Sequence, residues 1–242
     1  MLAVTLDVDW APDRMVEHLV CLLKSRGIPV ALFCTDPATG QGELATNLAP
    51  LADKSVELGW HPYFVPHRTP AAVVETLQQQ YPDALGSKSH QGLTGWPIQQ
   101  ACIDGGIKYE ILTFATGEAI RPYRPYSGVD YTILQNNFTD AECLKQDSYH
   151  WVPKSIPFID EVSSDSLYIM TFHPHILYYN LTTNAEYLAG KAGYHSVDER
   201  AARLNRDRAG PMSLLLDLIG GLPQRCFTTP GRYLGLMTEG RT

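Results

Sequence analysis

The sequence predicts a single α/β domain, barrel-like and built on a parallel sheet. Three observations carry that reading. The first 35 residues run strand, helix, strand, a βαβ unit whose two strands must lie parallel. A second apolar run far along the chain, SLYIMTFHPHI at 166–176, again ends in polar residues, as a buried strand does where it meets a sheet rim. No composition break or internal repeat divides residues 1–242, and a domain of that size can bury roughly three-quarters of its extended-chain surface.

Taken in order, residues 2–9 (LAVTLDVD) are β-branched and apolar and close on carboxylates, which reads as a strand entering a polar rim. Residues 13–26 set Met15, Leu19, Leu22 and Leu23 on one helical face, with Asp13 at the start, Gly27 at the stop and His18 on the solvated side. PVALFCT (29–35) is a second short buried strand. ELGWHPYFVPH (57–67) is broken by Gly and Pro and reads as irregular. Thr69-Pro70 supplies a cap and first position for a helix over AAVVETLQQQY. IQQACIDGG is a further helix, followed by a strand at KYEILTF. Residues 119–165, rich in Pro, Tyr and Asp, read as loops and short strands. Helices are expected near 197–207 and 212–219, then a final strand near RCFTTPGRYL.

Composition narrows the partners. A net charge of −7 and a pI of about 5.6 argue against nucleic acid, whose phosphates need a basic face, and against an anionic membrane surface. Five cysteines, odd in number and never in a CxxC pair, read as buried free thiols of a reducing compartment. The opening residues lack a basic leader and meet two aspartates early, and no apolar run approaches the roughly 18 residues of a membrane span. A cytoplasmic address is expected.

Two strand ends carry the chemistry. Asp7 and Asp9 are one residue apart, so on a strand both side chains point to one face, where two carboxylates need a cation or a shared proton between them. His173 and His175 close the second apolar run. Strand C-termini gather at one rim of a parallel sheet, where α/β active sites are built, so these four residues are expected to meet. With His61 and His67 nearby in kind, an aspartate and two histidines form a ligand set for Zn²⁺ or another borderline divalent cation.

At these residues the chain resembles the polysaccharide deacetylases, the NodB-homology domains of carbohydrate esterase family 4. TLDVDW is similar to the family's first motif, a strand reading T-F-D-D, although here the aspartates are separated by Val8. Glu57-Leu-Gly-Trp-His61 matches the approach to the second motif as far as its first histidine; position 65, where the motif's second histidine would fall, is Val. HPYFVP, Lys88-Ser89-His90, Pro157-Phe158-Ile159-Asp160-Glu161 and FHPHILYYN (172–180) resemble, in order, segments of the members associated with O-antigen and lipopolysaccharide biosynthesis. The resemblance spans roughly residues 3–180.

It implies a distorted (β/α) barrel with mostly parallel strands, and a metal-dependent N-deacetylase acting on an N-acetylated sugar, as a sugar nucleotide or lipid-linked precursor. Asp7 would be the catalytic base and Asp9 the metal carboxylate, with His61 and either His67 or His90 as the nitrogen ligands. His173, or His175 in its place, would protonate the leaving amine. Zinc, cobalt and nickel all suit the set. Lys88 stands where the family has an arginine steadying the base, and a lysine supplies charge without the two-pronged donor. The carboxylate orienting it would be Asp160 or Glu161. Two other readings compete: an amidohydrolase of a non-sugar C–N bond, and a sugar-binding protein without turnover. The tyrosines of RPYRPY and LYYN could stack on sugar rings.

Overall fold

Alternation on the first strand organises the molecule. In β1 (Leu2–Val8), Leu2, Val4, Leu6 and Val8 face outward into the large core under the helices, while Ala3 belongs to a separate, smaller cluster inside the sheet. Thr5, Asp7 and Asp9 follow Ala3 on that inner face, as a two-residue period requires. The computed structural model describes residues 1–9, 11–36, 48–112, 122–145, 166–190 and 209–237.

The remaining strands are β2 (Val30–Cys34), β3 (Val56–Trp60), β4 (Gly86–Ser87), β5 (Tyr109–Leu112), β6 (Thr132–Gln135), β7 (Phe138–Thr139), β8 (Tyr168–Phe172) and β9 (Phe227–Thr228). They form one sheet in the order β6-β5-β4-β3-β2-β1-β8-β7, with β9 added beside the first residues of β1, and every strand pairing is parallel. The two ends of this order are one stretch of chain. Asn136 and Asn137 alone separate β6 from β7; the Asn136 N–H donates to Leu112 O of β5 at 3.0 Å, and the Asn137 N–H donates to Ile169 O of β8 at 3.0 Å. A kinked strand thus stitches the sheet's edges together, and the result is a distorted (β/α) barrel.

Helices cover its outside. α1 (Asp13–Lys24) buries Met15, Val16, Leu19, Val20 and Leu23; of the four positions read from spacing Leu22 is only half-buried, and the buried face turns toward Val16 and Val20 instead. α2 (Pro70–Gln80) begins as expected, with the Thr69 hydroxyl accepting from the Ala72 N–H at 3.2 Å. α3 (Trp96–Asp104), α4 (Asp140–Lys145), α5 (Pro174–Tyr178), α6 (Asn184–Gly190), α7 (Pro211–Gly221) and the short α8 (Pro230–Tyr233) complete the described helices. Among the described residues, no helix is long and apolar enough to cross a membrane.

Several expectations change. The stretch at 57–67 is a strand as far as Trp60, not irregular throughout, because Glu57 and Gly59 occupy inward positions where an apolar alternation would otherwise show. A Cβ at Gly59 would lie 2.6 Å from the Phe33 ring, so the glycine makes room for that ring inside the barrel. The run at 166–176 stops being strand at Phe172 and turns into α5. The final strand shrinks to two residues before α8. Of the cysteines expected to be buried, Cys34 and Cys102 are, whereas Cys21, on the outer side of α1, is exposed and Cys226 is half-buried. The helix expected near 197–207 lies outside the described residues.

Candidate active site

Along the barrel axis the interior changes from apolar to charged. Ala3 and Ile169 give way to Thr5 and Thr171, whose hydroxyls lie 2.9 Å apart. Lys88, which continues the chain from β4, donates its ammonium to Thr171 Oγ1 at 2.6 Å and lies 2.8 Å from Asp7 Oδ2. This pair is buried, with 3% and 5% of the two side chains exposed, so neither charge could stand there without the other. The other Asp7 oxygen, Oδ1, is buried and makes no hydrogen bond among the described residues.

One step further along the same face sits Asp9. Its Oδ1 lies 2.8 Å from His61 Nε2 and 3.0 Å from His90 Nδ1, and those two nitrogens are 3.3 Å apart. His61 arrives on the residue after β3; His90 arrives through a turn in which its N–H donates to Pro62 O at 3.0 Å. All three side chains are buried, and one donor atom from each lies within 4.8 Å of the others. Burial pushes the Asp9 carboxyl up, but His61, His90 and His173 outweigh it and hold the group well below the ordinary carboxylate range. One carboxylate oxygen and two imidazole nitrogens converging from buried side chains are the donor set of a divalent cation with room for water, so the residues present fit such an ion.

His173 stands at the end of β8, with Nε2 3.6 Å from Asp9 Oδ2. Its far nitrogen, Nδ1, is 2.6 Å from Asp140 Oδ1, and its backbone N–H donates to Asp140 Oδ2 at 2.8 Å. Burial alone would lower the imidazole's pKa; Asp140, Asp9 and Asp7 outweigh it and raise it to about 9. The ring of His175, buried on α5, lies 6.0 Å from that of His173 and 5.6 Å from that of Tyr187. These residues, with Ser89, Gln91, Gly92 and Asn184, line a cavity of about 510 Å³ at the strand C-terminal rim.

The structure therefore brings together Asp7, Asp9, His61, Lys88, His90, His173 and His175. It does not bring His67, which is exposed in the turn before α2 and is not among the residues that converge on Asp9; His90 is the histidine beside His61. Asp160 and Glu161 lie outside the described residues. Asp140 was missed from sequence. Its signal was Phe138-Thr139-Asp140, a two-residue strand running into a helix, too short to show periodicity.

Among known proteins, the model of the WbmS-like polysaccharide deacetylase family matches residues 4–191 of this chain. The chain belongs to that family. A solved structure from Bordetella bronchiseptica, described as a polysaccharide deacetylase involved in O-antigen biosynthesis, is similar with a TM-score of 0.70 and 19% identity, over 91% of this chain and 90% of the other. One described as a polysaccharide deacetylase from Mycobacterium smegmatis gives 0.51 and 15%, over 94% and 91%. A 4-α-glucanotransferase from Thermococcus litoralis gives 0.56 and 10%, over 98% of this chain but 38% of that one. These likenesses concern the fold, and the last of them comes from a transferase, so chemistry in this WbmS-like deacetylase family member must be argued from its own side chains. No curated protein matches the chain.

Proposed function

We propose that this chain is a metal-dependent N-deacetylase acting on an N-acetylated sugar, used in the cytoplasm to build O-antigen or a related surface polysaccharide as a sugar nucleotide or lipid-linked precursor. Family membership supports the sugar and the acetyl group. The observation that carries the chemistry is the convergence of Asp9, His61 and His90 on one point of the cavity wall. Those three residues would hold the cation, with zinc, cobalt and nickel all suited to the set. When bound, it supplies Lewis-acid polarisation of the attacking water and of the acyl carbonyl.

The chain's own groups do the rest. Asp7 takes the proton of the attacking water through Oδ1, the oxygen Lys88 leaves uncommitted. Lys88 holds that carboxylate in place. The new C–O bond forms first, the carbonyl pair moving to oxygen; as that pair returns the C–N bond breaks, and His173, carrying its proton and held by Asp140, delivers it to the departing nitrogen. Acetate and a free amino sugar leave.

The test is elemental analysis of the purified protein and of Asp9→Ala, His61→Ala, His90→Ala and His67→Ala, followed by acetate release from N-acetylhexosamines and UDP-N-acetylglucosamine. About one metal per chain is expected in wild type and in His67→Ala, and a loss in the other three. A metal-free wild type after zinc soaking, or retention in His90→Ala, would overturn the site. A loaded protein that releases no acetate from any of these sugars would overturn the activity.

A further inference from the structure

Among the described residues only two that are not glycine have a left-handed backbone, Gln91 (φ 57°) and Asn180 (φ 49°). The fold accounts for Asn180. Asparagine is one of the residues that enters this region readily, and its buried Oδ1 accepts the Met212 N–H at 3.0 Å, tying α5 to α7. Room for that contact comes from Gly210, where a Cβ would lie 2.2 Å from the same oxygen.

Gln91 has no such account. Glutamine has a longer side chain than the residues that stabilise this conformation locally, and here it is exposed and makes no hydrogen bond to a described residue. The turn that contains it is closed by two backbone bonds, Gly92 N–H to Ser89 O at 3.0 Å and Leu93 N–H to His90 O at 3.4 Å, and anchored by the His90 ring, with no part for the Gln91 side chain. The next residue, also left-handed at φ 67°, is the glycine such a turn calls for. A glycine at 91 would serve the backbone better than a glutamine does. What distinguishes the position is its place: it follows His90 directly and lines the cavity. Strain retained at a cavity wall, on a residue whose side chain the fold does not use, points to a use by the ligand.

We propose that Gln91 is a specificity-determining residue whose carboxamide hydrogen-bonds a ring hydroxyl of the N-acetylated sugar beside the reacting acetamido group. The proposal rests on the sugar-deacetylase reading above. A carboxamide offers one acceptor and two donors with no net charge, which suits the paired donor and acceptor character of a sugar hydroxyl. The turn holds Cα beside the cavity, and the contact must outweigh the rotamer freedom the exposed side chain loses when that bond forms.

The test compares wild type with Gln91→Gly and Gln91→Ala in three measurements on the zinc-loaded protein. They are metal content, thermal unfolding, and titration with N-acetylglucosamine and N-acetylgalactosamine followed by NMR, with KM and kcat where acetate is released. The expected result is full metal content in both variants, a Tm of Gln91→Gly within about 2 °C of wild type, and about tenfold weaker sugar binding in both, with KM rising in proportion and kcat within about twofold. Binding is read separately from turnover, so a wild type that binds sugar through Gln91 yet releases no acetate supports this assignment while sinking the deacetylase reading. Unchanged binding in the variants, no binding of either sugar by wild type, or lost metal and a lowered Tm in Gln91→Gly would overturn it, the last by making Gln91 a support for His90.

Discussion

Asp140 grips His173 at two points, Oδ1 lying 2.6 Å from ring Nδ1 and Oδ2 accepting the backbone N–H at 2.8 Å. Ring and main chain are fixed together, so Nε2 has one direction to face, toward Asp9 and the cavity. Because the imidazole is raised to about 9, its proton-bearing form is present below that pH and lost above it. Asp140→Asn removes the largest raising influence. The expected outcome is a fall in kcat of roughly 10²-fold or more, with the alkaline limb of the pH–rate profile moved to lower pH. An unmoved limb would mean that the His173 proton is not the one transferred.

Lys88 and Asp7 form a buried pair inside the barrel, and Lys88 also donates to Thr171. Lys88→Met keeps the stem and deletes the charge, leaving Asp7 alone in a dry interior. Breaking such a pair costs about 3–5 kcal/mol, read as a lowered urea midpoint at unchanged slope. Activity should fall with it. If Lys88→Met proved as stable as wild type, the contact with Lys88 would not be what offsets the burial of Asp7.

Near the start of β3, Glu57 is buried, and among the described residues no cation forms an ion pair with it. The Tyr109 hydroxyl donates to it, as does the Gly231 N–H, at 2.9 Å to Oε2, from the first turn of α8. Burial raises its pKa above 4.5, and the contacts with Thr229, Tyr109 and Gly231 only partly offset that. A raised carboxyl contributes stability that is complete below about 4.5 and lost as pH rises through the folded value. Glu57→Gln cannot ionise, so its stability should fall less steeply than that of wild type as pH rises from 4.5. Denaturation midpoints at a series of pH values measure this; parallel profiles would show that Glu57 titrates alike in both states.

Gly86 faces the Tyr109 ring so closely that a Cβ there would lie 2.1 Å from Cζ. Gly86→Ala must therefore push the ring away and break its bond to Glu57. Overpacking of this kind costs roughly 1–3 kcal/mol, and the lost buried hydrogen bond adds to it. Thermal unfolding checks the sum, and a Tm equal to that of wild type would show that the ring has somewhere else to go.

What the sequence disclosed follows strand length. β1 runs seven residues, long enough for its period of two to place Asp7 and Asp9 on one face, and both line the cavity. β8 likewise announced His173. β4 and β7 have two residues each, which leaves no period to read, and they exist only because long neighbours pair with them. Lys88, His90 and Asp140 come from just those places. Resemblance to a family segment located the first two, while Asp140 had neither pattern nor motif. The spacing of His61 and His67 suggested a local pair, but the partner of His61 reaches it from 29 residues away, across a strand crossing that no local rule describes.

The pairing of β1 also bears on how the chain emerges from a ribosome. One edge of β1 is taken early by β2, a single helix later, but the other belongs to β8, and β9 is later still. At about 5–20 residues per second, on the order of ten seconds pass between the synthesis of the two neighbours. For that time a strand of Leu, Ala and Val carries a bare edge, the kind that recruits other chains. A product cut short before Tyr168 would keep that edge permanently, and its Asp9 would never meet His173.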